Sequence, residues 1–255
     1  AEAPTLLDAL ARAPAAAALV VRALKRVEDR KALRLAHPQL RDAVGEATTK
    51  LTTYPAHPAR PPTAQRWPCL EELRLCNPDE AALDALVSGT WGSLRSLCLT
   101  RLDGAAIGAL SARALAAALR RMPVLRALEL HHMLSAAAAR ELFCSSSAED
   151  VPHLRALAFT FESPTEELKA VRLLATTKWL AASEWRLEEL DLSANPSLGA
   201  AGLAALLAAP AFAIRRLRLE RCGLDAAGLL GLAAGPWPLE ELRLWLNDLG
   251  GAAVG

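Results

Sequence analysis

A six-residue pattern, L-x-x-L-x-L, recurs seven times between Leu70 and Leu244. The copies are Leu70/Leu73/Leu75, Leu94/Leu97/Leu99, Leu125/Leu128/Leu130, Leu154/Leu157/Phe159, Leu187/Leu190/Leu192, Ile214/Leu217/Leu219 and Leu239/Leu242/Leu244. Their first positions lie 24, 31, 29, 33, 27 and 25 residues apart, averaging near 28. All 21 template positions are apolar and 19 are Leu, so the register is unambiguous. Self-similarity at this period is the mark of a stacked array, in which each unit buries its apolar face against its neighbours.

The L-x-L end of each copy alternates with period two, as a strand with one buried face does. The residues between one copy and the next have helical spacing, as in Ile107, Leu110 and the run 113–119, or in Leu168, Val171 and Leu174. Ser163-Pro164-Thr165-Glu166 reads as a helix start, with an N-cap, a Pro at the first helical position and a capping-box Glu. Strand, helix and parallel strand repeated in series predict an α/β solenoid of about seven repeats, with strands on the inner face and helices outside. The chain is 53% hydrophobic but only 4% aromatic, so Leu, Ala and Val must fill its core. Many small layers suit that inventory better than one large centre.

Residues 69–255 resemble a leucine-rich repeat array, and within that group the ribonuclease-inhibitor-like class with its strand–helix unit. Asn195 and Cys222 stand at the ninth template position, where the resemblance implies an Asn or Cys hydrogen-bonding inside the strand-to-helix turn. Leu102, Met133 and Glu162 hold that place in the middle copies, whose turns are expected to be less regular. The last copy breaks off after Asp248-Leu249-Gly250-Gly251, where a helix should begin. A solenoid end needs a cover, so the chain is expected to continue beyond Gly255 or to have this edge covered by a partner.

Ahead of the repeats, residues 52–68 (TTYPAHPARPPTAQRWP) hold five of the sixteen prolines and suggest a stiff connector or boundary segment. Residues 1–51 show helical spacing only: Leu6, Leu7 and Leu10, then Leu19, Val20, Leu24 and Val27, then Leu33, Leu40 and Val44 interrupted at Pro38. Within them, residues 14–51 resemble a degenerate F-box, with an early Pro14, a Leu/Val-rich first helix, Asp29 before the second, then ALRL and LRDAV. It lacks a Leu-Pro-x-Glu opening, has His37-Pro38 in place of Cys-Arg, and contains no Trp after them. The resemblance implies docking on a Skp1-type adaptor of a ubiquitin ligase through Pro14, Leu19, Val20, Leu24, Leu33 and Leu35. The alternative is a helical cap that shields the first repeat.

No Ser/His/Asp arrangement, phosphate loop or dinucleotide fingerprint is present, and Gly199, Gly202, Gly223 and Gly228 recur with the repeat as turn residues. A non-enzymatic role without a cofactor is therefore expected. A formal net charge of +1 gives no general drive toward nucleic acid or anionic membrane. No 18-residue apolar stretch is free of charge, so no membrane span is expected. Five cysteines without a CxxC pair fit neither a disulfide framework nor a zinc motif and favour an intracellular reducing compartment. The first residue is Ala rather than Met, and Glu2, Asp8 and the lack of Ser in the opening stretch argue against a transit peptide.

Function should then lie on the inner face, where side chains alternate with the buried leucines. Its central column is expected to run Arg74, Cys98, Glu129, Ala158, Asp191, Arg218, Arg243. Flanking it on one side are Glu72, Ser96, Ala127, Ala156, Glu189, Arg216 and Glu241, and on the other Cys76, Thr100, His131, Thr160, Ser193, Glu220 and Trp245. Candidate partner contacts are Arg74, Cys98, Thr100, Glu129, His131, Thr160, Asp191, Arg218, Arg243 and Trp245. Ala127, Ala156 and Ala158, flanked by Thr100 and Thr160, suggest a small uncharged trough. Cys76, Cys98 and His131 fall on neighbouring strands but lack a fourth ligand, so no metal is expected. Arg215, Arg216, Arg218, Arg221 and Arg243 would be a basic patch, except that Glu189, Glu241 and Asp191 sit beside them. Trp245, outward on a strand, is expected to be buried against another element or a partner. The reading that results is a protein-interaction module or scaffold subunit, with an F-box-type substrate receptor as the alternative.

Overall fold

A computed structural model describes residues 49–53, 63–65, 67–102, 107–145, 151–161, 187–208 and 214–249. The expected N-terminal helices and adaptor contacts, the helix start at Ser163, Glu162 and Gly250-Gly251 lie outside these residues. Eight strands form one sheet in chain order: β1 Lys50–Thr53, β2 Glu72–Cys76, β3 Ser96–Thr100, β4 Ala127–Leu134, β5 Ala156–Phe161, β6 Glu189–Asp191, β7 Arg216–Arg218 and β8 Glu241–Arg243. Every neighbouring pair is parallel. Among the described residues, the helices are α1 Glu80–Ser88, α2 Ala109–Leu119, α3 Ala136–Ser145, α4 Gly199–Leu207 and α5 Ala226–Ala233.

The register is the one the leucines dictate. Leu73, Leu97, Leu128, Leu157, Leu190, Leu217 and Leu242 are paired rung by rung, and all but Leu242 are buried. They share one core with α-helical residues such as Leu86, Leu115, Leu142, Leu203 and Leu232. Small side chains let helices lie close. Ala112, Ala116 and Ala118 of α2 and Ala138 and Ala139 of α3 are wholly buried. Helix α2 turns Ala112, Leu115, Ala116 and Leu119 to the core and leaves Leu110 exposed.

The second template position stitches each unit to the next. The carbonyl of Glu71 accepts from the amides of Arg95 and Ser96, and those of Arg95, Arg126, Arg155, Glu188 and Arg215 repeat the double acceptance one unit on. Thr49 starts the series by accepting from Glu71 and Glu72. β1 is thus a genuine rung, with Leu51 opposite Leu73, and it falls across the boundary expected between helical segment and connector. Its template positions read Thr48, Leu51 and Thr53, which is why the Leu pattern misses it.

Beyond each strand the chain must turn away from the sheet. Asn77, His132, Ala194, Arg221 and Leu246, all eighth template positions, do this with φ between 47° and 61°. That region costs a non-glycine residue roughly 1–2 kcal/mol. The ninth position then closes the turn. Asn195, fully buried, donates through Nδ2 to the carbonyls of Phe159 at 3.0 Å and Leu192 at 2.7 Å, and its Oδ1 accepts from Phe161 N at 3.1 Å. Cys222 Sγ lies 3.1 Å from the same Leu192 carbonyl. In the middle copies, Met133 fills this place as a buried apolar residue, Leu102 stands 74% exposed, and β4 runs on to Leu134 with a register shift after His131. These turns are irregular, as their composition implies. Gly223, at φ 62°, passes so close to the previous turn that a Cβ would lie 2.2 Å from the Pro196 carbonyl oxygen.

Candidate functional site

The sheet face opposite the helices carries the outward side chains in the expected grid. Its central column pairs Arg74 with Cys98, Cys98 with Glu129, Glu129 with Ala158, Ala158 with Asp191, Asp191 with Arg218 and Arg218 with Arg243. Sheet spacing places successive rungs about 4.8 Å apart, within reach of neighbouring charged side chains.

Ion pairs run along this face. Lys50 meets Glu72 at 2.6 Å, Arg218 meets Asp191 at 3.7 Å, and Arg243 turns to Glu241 on its own strand at 2.7 Å. Arg216 pairs with Glu189, and Arg215 with Glu240. The contact with Glu189 holds the Arg216 guanidinium above its usual pKa. Four of the five arginines of the apparent basic patch are therefore matched by carboxylates. Each such exposed pair contributes little to stability, about 0–1 kcal/mol, but it cancels the field a polyanion would need.

At mid-array a trough of about 120 Å³ is lined by Glu129, His131, Ala156, Leu157, Ala158, Glu189, Leu190, Asp191, Arg216 and Arg218. It differs from the uncharged strip expected around Ala127, Ala156 and Ala158. The alanines form a floor, and the longer charged side chains of β4, β6 and β7 rise around it. Thr160 is no wall at all. It is 5% exposed, and its hydroxyl accepts from His132 N at 2.8 Å, which draws it under the turn.

Cys98 is likewise withdrawn from contact, at 4% exposure. Arg74 reaches across its rung to Glu129 at 3.7 Å, and the Cys98 sulfur lies 3.7 Å from Thr100 Oγ1. Burial pushes its thiol up to about 11, with Glu129 adding to the rise. Glu129 itself is held below the ordinary carboxylate value, first by the His131 imidazole, whose Nε2 stands 3.6 Å from Oε2. Of the sequence candidates, Arg74, Glu129, His131, Asp191 and Arg218 thus form one neighbourhood, Thr100 borders it, and Arg243 lies at its far side.

Trp245 stands apart from that group. It comes two residues after β8, is 76% exposed, and adjoins Leu246 at 69%. No described element covers it. Leu246 in its left-handed conformation swings the chain away at this point. Asn247 is a further turn residue, equivalent to Asn195. It donates to the Leu219 and Leu244 carbonyls and accepts from the amides of Cys222 and Leu224. Its ninth-position place in the seventh copy is the signal that could have found it.

The parallel ladder, the Leu register and the side-chain-closed turns define a leucine-rich repeat solenoid of α/β type. No family model matches the chain. The chain is similar to the ribonuclease inhibitor of Sus scrofa, with 35% identity over 146 residues, 53% of this chain and 30% of the relative. It thus spans less than a third of that protein's length. No helix among the described residues is long and apolar enough to cross a membrane.

Proposed function

We propose that this chain is a non-enzymatic protein-binding repeat module whose partner contacts the open sheet face at the trough. The observation that carries the reading is the trough itself. An alanine floor between charged walls admits a partner side chain, and alternating acid and base around it give that contact a register. The relative at 35% identity is named as an inhibitor of ribonuclease, a role exercised on another protein, which supports the same class of function. Recruitment of one partner and a scaffold place in a larger assembly are both uses of such a face.

The test is affinity capture with the full chain and with Ala158→Arg, which fills the trough from an outward position. Loss of a partner held by the wild type, with an unchanged melting curve, is the expected result. Retention of every partner by Ala158→Arg and by Arg218→Glu overturns the reading. The F-box alternative rests on the composition of residues 14–51. Capture of a Skp1-type adaptor that disappears when Leu19 and Leu24 are replaced by Asp would favour a substrate receptor instead.

A further inference from the structure

Three donor atoms of different kinds converge beside the trough. Cys98 Sγ, a Glu129 carboxylate oxygen and a His131 ring nitrogen all lie within 4.8 Å of one another. Their convergence is a product of the fold: Cys98 and Glu129 are register partners on β3 and β4, and His131 is two residues past Glu129, on the same face. The backbone ladder thus sets the spacing of all three.

We propose that Cys98, Glu129 and His131 form a three-ligand site for a zinc-type divalent cation, with its remaining coordination position open to the trough. The donor set decides the class of ion. Thiolate sulfur, imidazole nitrogen and carboxylate oxygen are the three ligand types zinc takes, whereas magnesium and calcium require oxygen alone. Tetrahedral bonds of about 2.0–2.3 Å place ligand atoms roughly 3.5 Å apart. Rotation of the Glu129 and His131 side chains, both partly exposed, closes the remaining gap. Thiolate and carboxylate together balance a charge of +2. Arg74 beside Glu129 and Thr100 beside the sulfur stand where supporting partners of metal ligands are found. Cys76, paired with Thr100 one strand away, is not part of the cluster. This site does not depend on the trough being a docking surface.

Cobalt(II) titration of the full chain, first stripped with a chelator, tests the assignment. One equivalent should give visible d–d bands and a near-ultraviolet thiolate-to-cobalt absorption, both bleached by zinc. Cys98→Ser and His131→Gln should each weaken binding by more than about tenfold, since loss of even a supporting partner costs 10–100-fold. Cys76→Ser should leave it unchanged. His131 is half-buried at the surface, so its variant reads the site without disturbing the core. A folded wild type without thiolate-to-cobalt absorption overturns the proposal, as does a signal that survives Cys98→Ser or His131→Gln, or one that is lost in Cys76→Ser.

Discussion

Residues 187–249 and residues 94–161 close the same turn by different means. In the later stretch the strands are three residues long, and Asn195, Cys222 and Asn247 bond the carbonyls and amides left at their ends. In the earlier stretch the strands run five to eight residues, and further strand pairing does the same work. Ile107 N donates to Met133 O, the bridge Ile107–Leu134 extends the sheet, and the Thr160 hydroxyl serves His132. Buried backbone groups must find partners either way. The comparison teaches that where Asn195, Cys222 or Asn247 bonds the strand-end groups the strands stay short, and where Leu102 or Met133 holds that place the backbone itself goes on pairing.

What both stretches share is the leucine ladder, and breaking it should erase the contrast. Leu157, 1% exposed between Leu128 and Leu190, joins the two. Leu157→Asp buries an unpaired charge and should cost at least about 3 kcal/mol of a total near 5–15. Denaturant melting should show both regions lost together; a wild-type midpoint would refute the register.

The next effect sharpens the contrast. Asn195→Ala takes a partner from two carbonyls and an amide, Leu192 alone keeping a second donor in Cys222, at an expected cost of about 2–3 kcal/mol. Leu102→Asn, at the same template position but on an exposed residue, should shift stability by no more than about 0.5 kcal/mol. Equal losses in the two melting curves would mean that the two kinds of turn do not differ.

The smallest effect concerns the eighth position, where both stretches use left-handed backbone. Ala194→Gly removes a Cβ from a residue at φ 61° and should stabilise the protein by about 0.5–1 kcal/mol. A lower melting temperature would show that Ala194 makes a contact worth more than its strain.

The leucine columns were readable because an apolar residue every second place permits one register only. The open-face grid came with them, since whatever lies between buried leucines must face the other way. β1 escaped because its template positions are Thr48, Leu51 and Thr53, and a single Leu carries no period. The trough was half legible. Ala156 and Ala158 announce a floor, but how far Arg216 or Glu189 rises around it depends on side-chain torsions that a column of letters does not hold. Thr160 misled by alternation: its place says outward, yet its hydroxyl is drawn to His132 N, where β4 breaks register. The grouping at Cys98 was legible only in part: Cys76 drew notice by its type, while the side chains that lie together are those of Cys98, Glu129 and His131.

The carbonyl of Leu192 is a shared object: both Asn195 and Cys222 donate to it, and Asn247 in turn accepts from the amide of Cys222. Three successive turns therefore draw on overlapping sets of atoms. Their contributions to stability cannot be independent, for removing Asn195 changes what Cys222 gains from Leu192. In the language of coupling free energies, this edge of the solenoid has interaction terms between adjacent units that reach beyond core packing. A perturbation at Asn247 then spreads toward Asn195 through Cys222, whose amide bonds Asn247 and whose sulfur shares the Leu192 carbonyl with Asn195, and the repeats respond as a cooperative block rather than as separate beads.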